Sequence, residues 1–265
     1  MLFPAMLGVA AYTAVVAYLE EDVFHTHFKN ATIVHSLVGF VLSLLLVFRT
    51  NTAYERWWEG RKIWGAIVNN SRNLALKLST LVEDKPTRHR LRALITNQVM
   101  AMKWHLRKGF NPDDFEDTDR YTIASFQQKK HLPNAVMQAV YQEIAELHRT
   151  NQISGEQLLY LNAELQSFTD NIGACERILN TPIPYSYSMF LKKVIFLYTF
   201  TMPIGFVSEF GYWATAIIPL VFYIFASIEV LAEEIEDPFG KDTNDLPLNR
   251  ISNTIRDNLK EIFGE

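Results

Sequence analysis

The chain has 265 residues, a formal net charge of −4 and a single cysteine, Cys175. The mild acidity, without a clustered basic stripe, excludes a nucleic-acid-binding protein, and one cysteine excludes an intrachain disulfide and a cysteine-based zinc cluster. The mean hydropathy near zero averages very unlike stretches, because four segments contain no Asp, Glu, Lys or Arg: Leu2 to Leu19, Ala31 to Phe48, Val194 to Ser208 and Tyr212 to Ile228.

These four apolar segments predict four transmembrane helices. Each is somewhat shorter than the roughly 20 residues that cross a bilayer, but a soluble helical core would be interrupted by polar residues every third or fourth position. The first segment has no preceding basic residue and is followed at once by Glu20, so it does not fit a cleaved signal peptide. We predict a retained first span.

Basic residues predict the orientation. They follow the second span and precede the third, whereas the first connection offers only Lys29 among acidic side chains. The positive-inside rule then places the long middle region and both termini in the cytoplasm of a multi-pass plasma-membrane protein. The basic residues concerned are Arg49, Arg56, Arg61, Lys62, Arg177, Lys192 and Lys193.

The middle of the chain predicts helices, because apolar residues recur there at spacings of three and four. Pro86 and Pro133 suit first-turn positions, and Ser154 with Gln157 forms a capping box before a helix that ends near Asn180. We expect an all-α fold whose helices pass continuously from the membrane into the cytosol. The predicted divisions are 1–48 (first and second spans), 49–186 (mainly helical cytosolic region), 187–232 (third and fourth spans) and 233–265 (acidic segment and cytosolic C-terminal tail).

The second span has two distinct faces. One face has the small residues Ser36, Gly39 and Ser43, which allow close helix packing. The adjacent face has a bulky stripe at four-residue spacing, formed by Phe40, Leu44 and Phe48. By spacing alone, lipid contact or packing is the commoner explanation of such a stripe. The alternative is a pore lining, since the span runs without a helix breaker into polar residues from Arg49 onward.

Three stretches resemble the bestrophin family, especially its bacterial branch. They are FRTNTAYERWWEGRKIWG from Phe48, CERILNTPIPY from Cys175 and EEIEDPFGKDTNDLPL from Glu233, and they occur in matching order within a four-span frame. The resemblance implies a homopentamer around a central pore with a helical cytosolic vestibule. It also places the family's narrow apolar neck on Phe40, Leu44 and Phe48, the stripe already found by spacing.

The resemblance implies an ion channel and not an enzyme, and no grouping of acid, base and nucleophile argues otherwise. Three apolar rings can gate by dewetting and treat both signs of charge alike, so selectivity is open. Acidic vestibule residues favour small monovalent cations, with chloride close behind as the family's usual ion. The alternative is a non-conducting, membrane-anchored helical assembly or signalling protein. No other partner is indicated beyond the bilayer and copies of the chain itself.

The acidic segment after the fourth span needs a compensating cation, because carboxylates crowd the C-terminal end of a helix. In eukaryotic bestrophins this region forms a calcium clamp, whose matching oxygens here are Glu234, Asp237, Asp242 and Asp245. The family's clamp also uses an N-terminal segment that this sequence does not include. The alternative is neutralisation by Arg or Lys from a neighbouring helix or subunit, in which case no cofactor is required.

Other polar candidates are weaker. His35 lies within an apolar span, where a histidine is more often an interhelical hydrogen-bond partner than a proton sensor. His89 and His105 have no ligand partners at metal spacing in the sequence, and Cys175 is expected to be a packed helix residue.

Overall fold

The computed structural model describes residues 2–25 and 31–265, so Lys29 lies outside the described residues. The described residues form nine α-helices and no strand, which confirms the all-α fold. The helices are α1 (Phe3–Tyr18), α2 (Ala31–Leu81), α3 (Lys85–Leu106), α4 (Ile123–Gln127), α5 (Leu132–Arg149), α6 (Gly155–Asn180), α7 (Tyr185–Phe210), α8 (Ala214–Glu236) and α9 (Leu248–Phe263).

The helices group into two compact units. The apolar unit contains the chain up to Arg56 together with Pro182–Glu236, and the polar unit contains Trp57–Thr181 and Asp237–Glu265. Helix α2 contributes its first half to one unit and its second half to the other.

The apolar unit has four helical stretches long enough to cross a membrane. The first is Phe3–Phe24, in which a π-helical turn, Leu19–Phe24, extends α1. Three stretches meet the length and hydropathy of a span, but the last, Tyr185–Glu236, holds both α7 and α8. A short turn at Gly211–Trp213 separates them, and Gly211 has φ +53°. The gap between the last two uncharged segments predicts a tight hairpin from Glu209 to Gly211. Glu209 is still helical in the structure, because the chain leaves the helix only where glycine permits a positive φ.

Helix α2 confirms that the second span continues past its apolar half. It runs for 51 residues without interruption, a length of about 75 Å at 1.5 Å per residue. No proline occurs between Ala31 and Lys85, so nothing in the sequence breaks the helix where it turns from apolar to polar at Arg49.

The polar unit packs α3 at its centre, where nearly every residue from Arg90 to Lys103 is buried. The predicted helix starts are confirmed. Pro86 and Pro133 occupy first-turn positions of α3 and α5, and Ser154 and Gln157 form the capping box of α6.

Candidate pore-lining site

The side chains of Phe40, Leu44 and Phe48 point away from the core of their own chain. They are 69%, 47% and 56% exposed. The buried residues of α2 in this unit follow one another at spacings of three and four on a different face of the helix, so the stripe is available to a partner or to lipid. These buried residues are Gly39, Leu42, Leu46, Arg49 and Ala53.

Of the three small residues predicted to pack, the structure brings only Gly39 into a contact within the chain. A Cβ atom there would lie 2.6 Å from the Tyr198 hydroxyl oxygen, so α2 and α7 approach as closely as they do because position 39 is glycine. Ser36 and Ser43 are exposed, and their hydroxyls donate to the carbonyls of Thr32 and Gly39 at 2.8 Å. They lie between the buried face and the bulky stripe.

Arg49 is a buried cation at the polar end of this stripe. Only 1% of its side chain is exposed, its Nη2 donates to Glu236 Oε2 at 2.7 Å, and its Nε lies 3.8 Å from Glu229 Oε2. Arg49 and Glu229 therefore form an ion pair without a hydrogen bond. The sequence indicates Arg49 only as an orientation signal, because the two carboxylates lie 180 and 187 residues later in the chain.

Two further cations of the apolar unit, Arg56 and Lys192, also lie at the end of α8. Arg56 donates to the Glu236 carbonyl at 3.1 Å, and Lys192 pairs with Glu233 at 2.8 Å. The Glu236 side chain additionally accepts the Ile183 amide at 2.8 Å. Arginine and lysine from neighbouring helices therefore provide positive charge at this helix end.

In the loop after α8, the side chain of Asp245 turns back toward the backbone of the same loop. Asp245 Oδ2 accepts the Asp242 amide at 2.6 Å, and a Cβ at Gly240 would lie 2.6 Å from the same oxygen. Burial raises the pKa of Asp245, and the negative charges of Asp242 and Asp237 add to this effect. Asp237 and Asp242 are exposed. The fourth predicted ligand, Glu234, is an exposed residue of the apolar unit. The calcium site stays a prediction.

Two lesser candidates have structural roles. His35 lies with Nδ1 2.9 Å from the Ala31 carbonyl and Nε2 3.2 Å from Thr201 Oγ1 of α7, so it is an interhelical hydrogen-bond partner. Cys175 is buried, and burial, followed by the charges of Glu176 and Glu59, raises the pKa of its thiol to about 12. A thiol that stays protonated is a packing group and a poor nucleophile.

The folded chain gives His105 partners that its sequence spacing does not show. His105 Nε2 and His131 Nε2 lie 2.6 Å and 2.8 Å from the same oxygen, Glu176 Oε1. Burial raises the pKa of Glu176, but the hydrogen bonds from the two histidines outweigh it and hold the pKa below its usual value. The three residues belong to separate segments of the polar unit, at the end of α3, the start of α5 and the end of α6, so no sequence spacing could reveal them.

The sequence matches the family model described as "Bacterial/Fungal Bestrophin protein" over residues 1–261. It is 38% identical to a protein of Nostoc sp. named voltage-dependent anion channel-forming protein, over 84% of this chain and 75% of that protein. A protein of the same name from Synechocystis sp. is 38% identical, over 85% of this chain and 75% of that protein.

The structure resembles the crystal structure of a bacterial bestrophin homologue from Klebsiella pneumoniae. The TM-score is 0.91 at 26% sequence identity, and the match covers 100% of this chain and 99% of that one. A second structure of a homologue from the same organism, carrying one substitution, gives a TM-score of 0.89 at 26% identity, covering 99% of both chains.

Proposed function

Because the chain belongs to the bacterial and fungal bestrophin family, whose members are membrane channels and not enzymes, we propose that it forms a homopentameric channel for small monovalent ions. Its pore neck is formed by Phe40, Leu44 and Phe48. The observation that carries the proposal is the orientation of these three side chains, which are large, apolar and turned away from the core of their own chain.

The helix geometry supports a neck of stacked rings. Residues four apart along α2 are about 6 Å apart along its axis, so five copies of the helix around an axis would place three apolar rings within about 12 Å. A narrow apolar passage of that length loses its water readily and closes without any moving gate, and slight widening lets water and ions through.

The faces of α2 support contacts between subunits beside the neck. Ser36 and Ser43 flank the stripe, are exposed, and have their hydroxyls hydrogen-bonded within the helix. Small residues with satisfied hydroxyls allow a neighbouring helix to approach closely in a membrane. In the assembly they contact the neighbouring subunit.

The first exposed charge beyond the neck supports cations as the conducted ions. Glu55 is exposed and follows Phe48 by about two helical turns on the same face of α2. The neighbouring cations of α2, Arg49 and Arg56, are directed toward a carboxylate and a carbonyl at the end of α8. A ring of Glu55 carboxylates at the inner mouth concentrates cations.

Anion conduction is the second candidate, and a specific observation favours it. The relatives from Nostoc and Synechocystis are both named as anion channel-forming proteins, and each is 38% identical to this chain. Reversal potentials in a salt gradient separate the two candidates by their sign. If Glu55 favours cations, Glu55→Gln shifts the reversal potential toward that of a non-selective pore. This role of Glu55 is overturned if the wild type is anion-selective and Glu55→Gln leaves its selectivity unchanged.

Currents through the purified protein in planar bilayers test the pore itself. We expect currents from the wild type, altered by Phe40→Ala, Leu44→Ala and Phe48→Ala. The matched control is Phe196→Ala on α7, because Phe196 is also 69% exposed but lies outside α2. A protein that is folded and oligomeric but carries no current is the membrane-anchored assembly instead. Currents that all three neck variants leave unchanged would place the pore elsewhere.

Orientation belongs to the same proposal. The middle region and both termini are cytoplasmic, so an impermeant thiol reagent added outside intact cells labels a cysteine introduced at Tyr212 and not one at Lys129. The reverse labelling pattern would refute this orientation.

A further inference from the structure

A cluster of two histidines and a glutamate lies in the polar unit, apart from the proposed neck. His105 is in the last turn of α3, His131 is the N-cap residue of α5, and Glu176 is in the last turns of α6. Each side chain is roughly one quarter to one third exposed. Among the described residues, this is the group of three His, Cys, Asp or Glu side chains whose ligand atoms all lie within 4.8 Å of one another.

We propose that His105, His131 and Glu176 bind a transition-metal dication, with zinc as the best-fitting ion. Two imidazole nitrogens and one carboxylate oxygen are the protein ligands of open zinc sites, in which a water molecule fills the fourth position. The set contains two nitrogen donors, so it discriminates against calcium and magnesium, which prefer oxygen ligands only.

The distances fit a site that holds hydrogen bonds when metal-free and opens slightly around an ion. The two nitrogen–oxygen distances are 2.6 Å and 2.8 Å, typical of hydrogen bonds to a carboxylate. Ligand atoms bound tetrahedrally at about 2.1 Å stand about 3.4 Å apart, so each contact would widen by roughly 0.7 Å. The three side chains have room to make this adjustment, because they are half-buried and lie at helix ends.

An ion can reach the cluster from the surface. His131 and Glu176 line an open cavity of about 510 Å³ together with Asn134 and Thr169. His105 lines a second open cavity of about 490 Å³ beside Trp104 and Gln127. Both cavities have polar side chains in their walls, so water that completes the coordination of an ion can enter as well.

Metal binding is coupled to the start of α5. The Asn134 amide donates to His131 Nδ1 at 3.1 Å, so the metal-free ring carries its proton on Nε2. A metal on Nε2 replaces that proton, and the neutral ring then carries its proton on Nδ1, facing the Asn134 amide. The capping hydrogen bond is therefore given up on binding, and the affinity falls below that of a zinc site whose histidines are already in the binding tautomer.

Calorimetric titration of the metal-stripped, full-length oligomer in detergent with zinc chloride tests the proposal. We expect one zinc per subunit in the wild type and affinity reduced more than about tenfold in His131→Ala and in Glu176→Gln. The matched control is His89→Ala. His89 is also on α3 and also pairs with a carboxylate, that of Glu265 at 3.1 Å, but it is outside the cluster.

Glu176→Gln guards against a merely unfolded variant, because the amide oxygen still accepts the histidine N–H groups. Cobalt provides a second measurement, since a four-coordinate cobalt site absorbs strongly in the visible range and a hexahydrated ion does not. A folded wild type that binds no zinc, or variants at His131 and Glu176 that bind as tightly as the wild type, overturns the proposal. Channel currents do not enter this test, so it stands or falls separately from the proposed pore.

Discussion

Replacing Arg49 by Gln is expected to destabilise the apolar unit strongly. The guanidinium is 1% exposed and is shared between Glu236, 16% exposed, and Glu229, 4% exposed. Without it, two carboxylates that are mostly or wholly out of contact with water lose their counter-charge. Removing one partner of a buried ion pair typically costs about 3–5 kcal/mol, much of it the cost of the charge left behind.

The exposed pair between Lys192 and Glu233 provides the scale for comparison. Its side chains are 43% and 56% exposed, and such pairs contribute at most about 1 kcal/mol. For a chain of this size a change of 1 kcal/mol shifts the melting temperature by roughly 2–4 °C. Arg49→Gln is therefore expected to lower the melting temperature by roughly 10 °C and Lys192→Gln by less than about 4 °C.

Melting of both variants in one detergent, followed by tryptophan fluorescence, measures the difference. A third variant that combines Arg49→Met, Glu229→Gln and Glu236→Gln separates charge from packing, because it leaves no buried charge unpaired and should recover much of the loss. If Arg49→Gln melts within a few degrees of Lys192→Gln, the carboxylates do not depend on Arg49 and the reasoning fails.

Three further predictions concern individual contacts within the two units. Gly39→Ala should cost about 1–3 kcal/mol by overpacking against the Tyr198 hydroxyl, and adding Tyr198→Phe should recover part of the lost melting temperature; no recovery would refute the close contact. Asp245→Asn should raise the melting temperature in EDTA near neutral pH, because the pKa of Asp245 is raised in the folded chain and its ionisation costs stability as pH rises above the unfolded pKa of about 3.9. The gain should vanish below that pH, and a lower melting temperature of the variant at neutral pH would contradict the prediction. Stabilisation by calcium of the wild type alone would support Asp245 as a ligand. The pKa of Asp114 is lowered: burial raises it, but hydrogen bonds from Lys103 at 2.6 Å and Trp104 at 2.7 Å outweigh burial. Asp114→Asn should therefore lower the melting temperature at neutral pH, and the difference from the wild type should shrink as pH falls through the lowered folded pKa.

Local signals in the sequence were sufficient for most of the fold. The capping box at Ser154 and the prolines at 86 and 133 mark helix starts, and each acts through atoms within one turn of the helix. The turn at Gly211 was placed slightly too early, since apolar composition shows where a span is but glycine decides where the helix ends.

The candidate site was predictable only where its residues share one helix. The stripe of Phe40, Leu44 and Phe48 follows from the period of α2, and the family resemblance gave it a role that spacing alone did not. The cluster of His105, His131 and Glu176 and the partners of Arg49 depend on contacts between distant segments. No spacing within a single stretch encodes such contacts, so they appear only in the folded chain.

The burial of Arg49 also changes which basic residues can determine the orientation in the membrane. Its charge is buried against Glu236 and Glu229, and Arg56 donates to a carbonyl at the end of the same helix. The positive-inside signal is thus left to cations on the surface, since only those interact with the membrane interface and its electric field. These are Arg61, Lys62, Arg177, Lys192 and Lys193. Arg49→Gln should therefore lower the stability of the protein and leave its orientation unchanged, whereas a reversed orientation would show that a buried, paired arginine still directs insertion.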